Sequence, residues 1–193
     1  MPNQEELSGK IDFIKLDESS MPVKRTKINT RSFEVEDDKQ AEYSLYKFPE
    51  TYPGGTSFKI KFTTSAPAYV YIFSEDDKGI ISKFFPYKSS ISAAINSFNA
   101  TVYLPSETVH ARLSPTPGRE NICVLYSKTE LDFEALLNYI SDHKATIGEA
   151  VKANYLSRLM NINQVKFDED AINFKAPANE NSLLCFFIEL DHN

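Results

Sequence analysis

The side chains able to do chemistry are few and scattered. There are three histidines, His110, His143 and His192. None has a partner at the spacing a metal site requires. His110 lies between Val109 and Ala111 in a strand-like run and reads as a structural or surface residue. His192 stands next to the C-terminus and is expected to be disordered. Nucleophilic catalysis needs a Ser or Cys placed against a base, and no Gly-x-Ser-x-Gly elbow occurs. Cys123 and Cys185 both lie in apolar runs, where burial raises a thiol's pKa and blunts its reactivity. They read as small buried hydrophobes, with a disulfide open to them in an oxidising compartment.

Two carboxylate clusters, Glu75-Asp76-Asp77 and Asp168-Glu169-Asp170, allow a calcium loop or an acid/base pair on paper. Neither meets the D-x-[DN]-x-[DN]-G pattern, and both fall where surface turns are expected. The six glycines form no phosphate-cradling loop. No catalytic, metal-binding or cofactor-binding residue is therefore assigned, and no cofactor is expected. A hydrolase with an unrecognised site around His110 and nearby carboxylates stays as an alternative.

One aromatic group stands apart: Phe84, Phe85, Pro86 and Tyr87 close a strand-like run. Alternate residues of a strand share a face, so Phe84 and Phe85 are expected to point to opposite sides. An exposed member could anchor a protein partner.

These groups must be positioned by strands. The segment 55–85 holds three strand-like runs separated by short turn signals. Phe58, Ile60 and Phe62 alternate with Lys59, Lys61 and Thr63, a strand with one buried and one wet face. The runs 69–73 and 122–126 are apolar on both faces and read as central strands. Gly79, after an acidic turn, suits a positive φ. Further strands are expected at 43–48, 101–104, 108–113, 165–167, 171–174 and 183–190, and a short one at 11–16 within the N-terminal arm. Phe133, Leu136, Leu137 and Ile140 fall at helical spacing, as do Ile147, Val151, Tyr155 and Leu159. Ser127 with Glu130, and Thr146 with Glu149, have the spacing of capping boxes.

Composition bounds the remainder. The chain of 193 residues has 14 Phe, 10 Tyr and no Trp, a bias toward pleated, half-buried surfaces. A net charge of −6 disfavours nonspecific nucleic-acid binding. No basic stripe is visible along the sequence, and Lys24-Arg25-Thr26-Lys27 reads as a solvated linker. No apolar run approaches the ~20 residues of a membrane span. The opening residues, Met1 to Glu6, are acidic and polar rather than leader-like.

The ordered set of an Ala-Tyr-Val-Tyr-Ile-Phe strand (68–73), an acidic turn with Gly79, Phe-Phe-Pro-Tyr (84–87), Leu104-Pro105 and Pro117-Gly118-Arg119-Glu120 before Cys123-Val124-Leu125-Tyr126 resembles the bacterial family called domain of unknown function 4384. The resemblance covers roughly residues 43–140. The helix after Glu130-Leu131-Asp132-Phe133 looks like the version in Bacteroidetes-type envelope proteins. Phe84 stands where Leu is usual. The resemblance implies an accessory β-rich module without an established active site, found in exported proteins or beside kinase-like or caspase-like enzymes. It makes a periplasmic or envelope location, with the leader removed, one reading of a compartment the sequence leaves open.

The expectation is a mainly β protein. It is an antiparallel β-sandwich (41–193) with a two-helix insertion, at about 130–142 and 146–160, packed on one edge or end. Residues 1–40 form an extended or partly disordered N-terminal arm, polar and disordered over 1–10. The function expected is a non-enzymatic binding or sensory module of a bacterial envelope or signalling system. It would have a protein partner, no nucleic acid and no membrane span, and contact residues Phe84, Phe85, Pro86, Tyr87, Arg119 and Glu120. The loops at 75–79, 87–100 and 114–120 would carry that surface. The other alternative is a structural subunit of a secreted assembly that donates its arm as a strand.

Overall fold

The computed structural model describes residues 5–26 and 44–193. In chain order the first strands are β1 (Glu5–Lys15), β2 (Ser20–Met21), β3 (Lys24–Thr26), β4 (Ser44–Lys47), β5 (Ser57–Thr64) and β6 (Ala68–Asp76). Then come β7 (Ile81–Phe85), β8 (Ala94–Ile95), β9 (Ala100–Leu104), β10 (Ala111–Arg112) and β11 (Gly118–Ser127). Helices α1 (Phe133–His143) and α2 (Ile147–Tyr155) follow, then β12 (Lys166–Phe167), β13 (Ile172–Ala178) and β14 (Leu183–His192).

The strands make two seven-stranded sheets, and the protein is the mainly β sandwich expected. An outer sheet runs β10-β5-β1-β13-β12, with β9 also on β5 and β2 also on β1. A middle sheet runs β3-β4-β14-β11-β6-β7, with β8 on β6. Pairing is antiparallel except for β4, which lies parallel to β14.

The physical logic differs between the sheets. In β5, Phe58, Ile60 and Phe62 are buried while Lys59, Lys61 and Thr63 face away, as a sheet with one wet face requires. The middle sheet is covered on both sides. Val70 and Ile72 of β6 join the core between the sheets, whereas Tyr71 and Phe73 pack against the helices. Val124, Tyr126 and Phe186 face the outer sheet, and Cys123, Leu125 and Cys185 face the helices. The doubly apolar runs are thus strands between two layers, each fully buried large side chain contributing about 1.5–3 kcal/mol. The inter-sheet core is strongly aromatic: Phe13 meets Phe48 at 4.9 Å, Phe62 meets Tyr126 at 5.6 Å and Tyr126 meets Phe174 at 5.1 Å.

Several expectations change. The helix pair does not sit on an edge or end. It forms a third layer over the face of the middle sheet, where Phe133, Leu136, Ile140, Ile147 and Val151 close on Tyr71, Phe73 and Leu125. The N-terminal arm is not free over its described part. Residues 5–15 are β1, inside the outer sheet between β5 and β13. Leu7, Ile11 and Phe13 are buried and Gly9 lies under the Phe174 ring, so the polar Glu6, Ser8 and Lys10 merely mark the wet face of a strand. β2 pairs with β1 and β3 with β4, so this segment crosses from one sheet to the other. Residues 27–43 lie outside the described residues.

The 108–113 strand contracts to β10, because Glu107 to His110 are exposed. The α1 cap is Asp132, whose side chain accepts from Ala135 N at 2.9 Å. Ser127 ends β11 instead, buried, and its hydroxyl accepts from Arg158 Nη2 at 2.9 Å. The Thr146–Glu149 capping box is present. Gly55 and Gly79 hold φ of 82° and 77° in their turns. His192 is a buried residue of β14 paired with Gly118, not a frayed end.

Candidate functional site

The residues singled out from the sequence are distributed over different surfaces. β6 and β7 lose register between Ile72 and Phe73: Ile72 pairs with Phe85 and Phe73 with Lys83, leaving Phe84 as the extra residue of a β-bulge. The expected opposition of Phe84 and Phe85 therefore fails. The bulge turns Phe84 so that both rings pack against the inter-sheet core. Phe85 is buried, while Phe84 is half-buried and stacks on Phe58 at 5.8 Å with a 27° tilt.

Phe84 forms part of a cleft of about 350 Å³. The cleft opens where β7, the edge strand of the middle sheet, faces β10, at the edge of the outer sheet. Phe58, Phe84 and Ile122 contribute its apolar walls and Arg112 and Glu120 its charges, while the nearby Lys83 turns to the helical side, its Nζ 2.6 Å from Glu134. Phe84 and Glu120 are thereby brought together. Arg112 is held by its Nε donating to the Gly55 carbonyl at 3.2 Å. Glu120 lies 3.9 Å from Nε2 of buried His192.

Arg119 lies on the other face of β11, with the parity of Cys123 and Leu125. Its guanidinium donates to Asp191 at 2.7 Å and lies 3.4 Å from Glu189, while Lys47 binds Glu189 at 2.6 Å and Asp191 at 3.2 Å. Hydrogen bonds from Arg119, then from Lys47, hold the Asp191 carboxyl below its ordinary range. Pro86 lines a separate groove of about 720 Å³ between the 88–93 connection and the start of α1, with Lys88, Ser90, Glu130, Asp132 and Glu134. Tyr87 is half-buried, with Lys88 Nζ 5.5 Å from its ring centre.

Asp76 Oδ1 accepts from the backbone N–H of Lys78 and Ile80 at 2.9 and 2.7 Å, capping the turn before Gly79. Glu75 accepts from Ile147 N at 3.3 Å and so supports the start of α2. Asp168 accepts from Asn173 at 2.6 Å. Cys123 and Cys185 are free thiols with sulfurs 3.9 Å apart beneath the helices, and burial pushes the Cys123 thiol well up. His110 is exposed in the connection between β9 and β10, and His143 stacks on Tyr139 at 4.1 Å. Among the described residues no group of three His, Cys, Asp or Glu could hold a metal ion, and no helix is long and apolar enough to cross a membrane.

Sequence reasoning missed Arg112 as a wall of the Phe84 cleft, because it and Phe84 belong to edges of two different sheets. It also missed Tyr71 as a tie between layers. Tyr71 Oη accepts from Leu131 N at 2.9 Å and donates to Leu131 O at 3.3 Å, and burial pushes its phenol up to about 12. The Tyr-x-Tyr pattern carried a signal for it, since a buried tyrosine needs a partner for its hydroxyl.

No curated protein and no solved structure matches the chain. Residues 51–130, which hold the Tyr69-x-Tyr71 strand, the bulged Phe84–Tyr87 segment and Arg119-Glu120, match the family described as Domain of unknown function (DUF4384).

Proposed function

We propose that this chain is a non-enzymatic accessory binding module of a bacterial envelope or signalling system, and that its protein partner enters the cleft between β7 and β10. The observation that carries this reading is the position of Phe84. The bulge presents a half-buried aromatic ring in a cleft with an apolar floor and charges at its rim. Such a cleft suits one apolar side chain of a partner, with Arg112 and Glu120 selecting its polar neighbours. The outer edge of β7 pairs with no other strand among the described residues, so an extended partner segment could continue the middle sheet there. The use of Glu75, Asp76 and Asp168 in hydrogen bonds within the fold supports a non-enzymatic reading.

The experiment is site-specific photo-crosslinking. A benzophenone amino acid replaces Ser82, exposed on β7, or Asn154, on α2. The chain is then incubated with host-cell extract and the adducts identified. A discrete adduct at Ser82, absent at Asn154 and lost on Phe84→Ala, is the expected result. Equal crosslinking at both positions, or an adduct indifferent to Phe84→Ala, rejects the cleft. The arm-donating alternative concerns residues 17–40, of which 27–40 lie outside the described residues, while Ser20–Met21 and Lys24–Thr26 pair within their own chain.

A further inference from the structure

The wet face of the outer sheet gathers cations on a chain of net charge −6. Strand alternation places Lys59 and Lys61 of β5, Lys10 of β1, Lys175 of β13, Lys166 of β12 and Arg112 of β10 on one side. Three carboxylates accompany these six cations. Asp12 binds Lys10 at 3.0 Å, Glu6 binds Lys175 at 2.8 Å, and Asp168 lies beside Asn173. The strands' own wet side is thereby rich in cations on a chain of −6, with the carboxylates of Asp17, Glu18 and Glu107 in the flanking connections. Lys59, Lys61, Arg112 and Lys166 have no carboxylate partner among the described residues. Lys59 and Arg112 donate only to the Glu107 and Gly55 carbonyls. None of the described elements packs on this face.

Among the described residues, the same sheet holds most of the exposed large apolar side chains. Four of the six, Phe98 (74% exposed), Leu16 (52%), Tyr103 (37%) and Val109 (36%), belong to its strands or their connections. Tyr103 stands on the cationic face opposite Lys61. Leu16 lies two residues beyond Ile14, which pairs with Lys59. Val109 is in the connection whose Glu107 carbonyl binds Lys59. Phe98 adjoins Asn99, which shares a hollow of about 550 Å³ with Lys10, Lys166 and Lys175.

We propose that this face docks on an anionic lipid bilayer. The cations spread across the whole breadth of the sheet rather than along one track, which fits a plane of charge better than a single polymer strand. Apolar side chains at the margins supply the second element of interfacial binding, insertion just below the headgroups. The surface is separate from the Phe84 cleft, except for Arg112 at their shared edge, so the two readings fail independently.

The test is co-sedimentation of the full chain with phosphatidylcholine vesicles, with and without roughly 30 mol% phosphatidylglycerol. Binding to the anionic vesicles, absent from pure phosphatidylcholine and abolished at about 0.5 M salt, is expected. Lys61→Ala and Lys166→Ala should each lower the partition coefficient about fivefold, compounding in the double variant. Phe98→Ser should lower it roughly tenfold. Lys152→Ala, in the helical layer on the far side, should leave it unchanged, and thermal melts confirm that each variant is folded. No binding, equal binding to both vesicle types, or binding indifferent to Lys61 and Lys166 overturns the proposal. So does a preference for single-stranded oligothymidylate over vesicles, which would make the face a nucleic-acid platform.

Discussion

Tyr71 and Leu131 tie the helical layer to the middle sheet through two hydrogen bonds made by one hydroxyl. The Leu131 N–H donates to Tyr71 Oη at 2.9 Å, and the hydroxyl donates to the Leu131 carbonyl at 3.3 Å. Leu131 lies just before the Asp132 cap of α1, so this contact sets where the helix begins over the sheet. Tyr71→Phe keeps the ring on Phe133, 5.1 Å away, but orphans a buried N–H. A loss of about 1–3 kcal/mol in urea unfolding is expected. A loss below about 0.3 kcal/mol would mean that packing alone seats the helices.

Gly9 and Phe174 face each other across β1 and β13. A Cβ on Gly9 would come within 2.9 Å of Phe174 Cε1 and closer still to Cζ, so there is no room for a methyl group. Gly9→Ala should destabilise by about 1–3 kcal/mol, the cost of overpacking. Gly9→Ala with Phe174→Leu should lose less than the two single changes together, because the smaller side chain clears the space. Additive losses in a double-mutant cycle would show that the clash is not with Phe174.

The true cap of α1 can be separated from the one its spacing suggested. Asp132→Ala should cost about 1 kcal/mol, the usual value of an N-cap. Glu130→Ala, at an exposed position with no capping role, should stay within about 0.5 kcal/mol. Helical circular dichroism and thermal unfolding of the two variants read the difference.

Asp191 should shape the acid limb of stability. Its pKa is depressed in the folded state, chiefly by the Arg119 hydrogen bond and then by Lys47. A depressed carboxyl contributes stability that is fully present above the unfolded pKa, about 4, and is lost as pH falls through the lower folded value. Asp191→Asn should therefore cost about 0.5–1 kcal/mol near pH 7 and converge on the parent protein below that window. Unfolding curves across that range measure it. A constant difference at every pH would rule out the ionised network as the source.

Cys123 and Cys185 should be silent toward a disulfide thiol reagent in the native protein at pH 8, because the helices cover them and burial holds the Cys123 thiol protonated. Both should react in urea. Rapid native labelling would mean that the helical layer opens readily from the sheet.

Local chemistry alone determined much of this protein. The alternation of Phe58, Ile60 and Phe62 with lysines declared a strand with one wet face. The doubly apolar 69–73 and 122–126 runs declared strands covered on both sides, and Thr146 with Glu149 declared a helix start. Those signals are short-range, since side-chain period and caps depend on a few neighbouring residues. Leu7, Gly9, Ile11 and Phe13 carried the same alternation in β1, hidden by the polar residues between them.

Register and layering, by contrast, arise only when distant segments meet. The bulge opposite Ile72 and Phe73 sent Phe84 and Phe85 toward one core, where strict alternation would have split them. Stacking of α1 and α2 on the face of the middle sheet explained why its strands are apolar twice over. Five strands drawn from both ends and the middle of the chain, β5, β1, β13, β12 and β10, brought six cations onto one face that no linear stretch of the sequence displays. That segregation is a consequence of the two-residue strand period acting across a sheet, and only the assembled sheet makes it a surface.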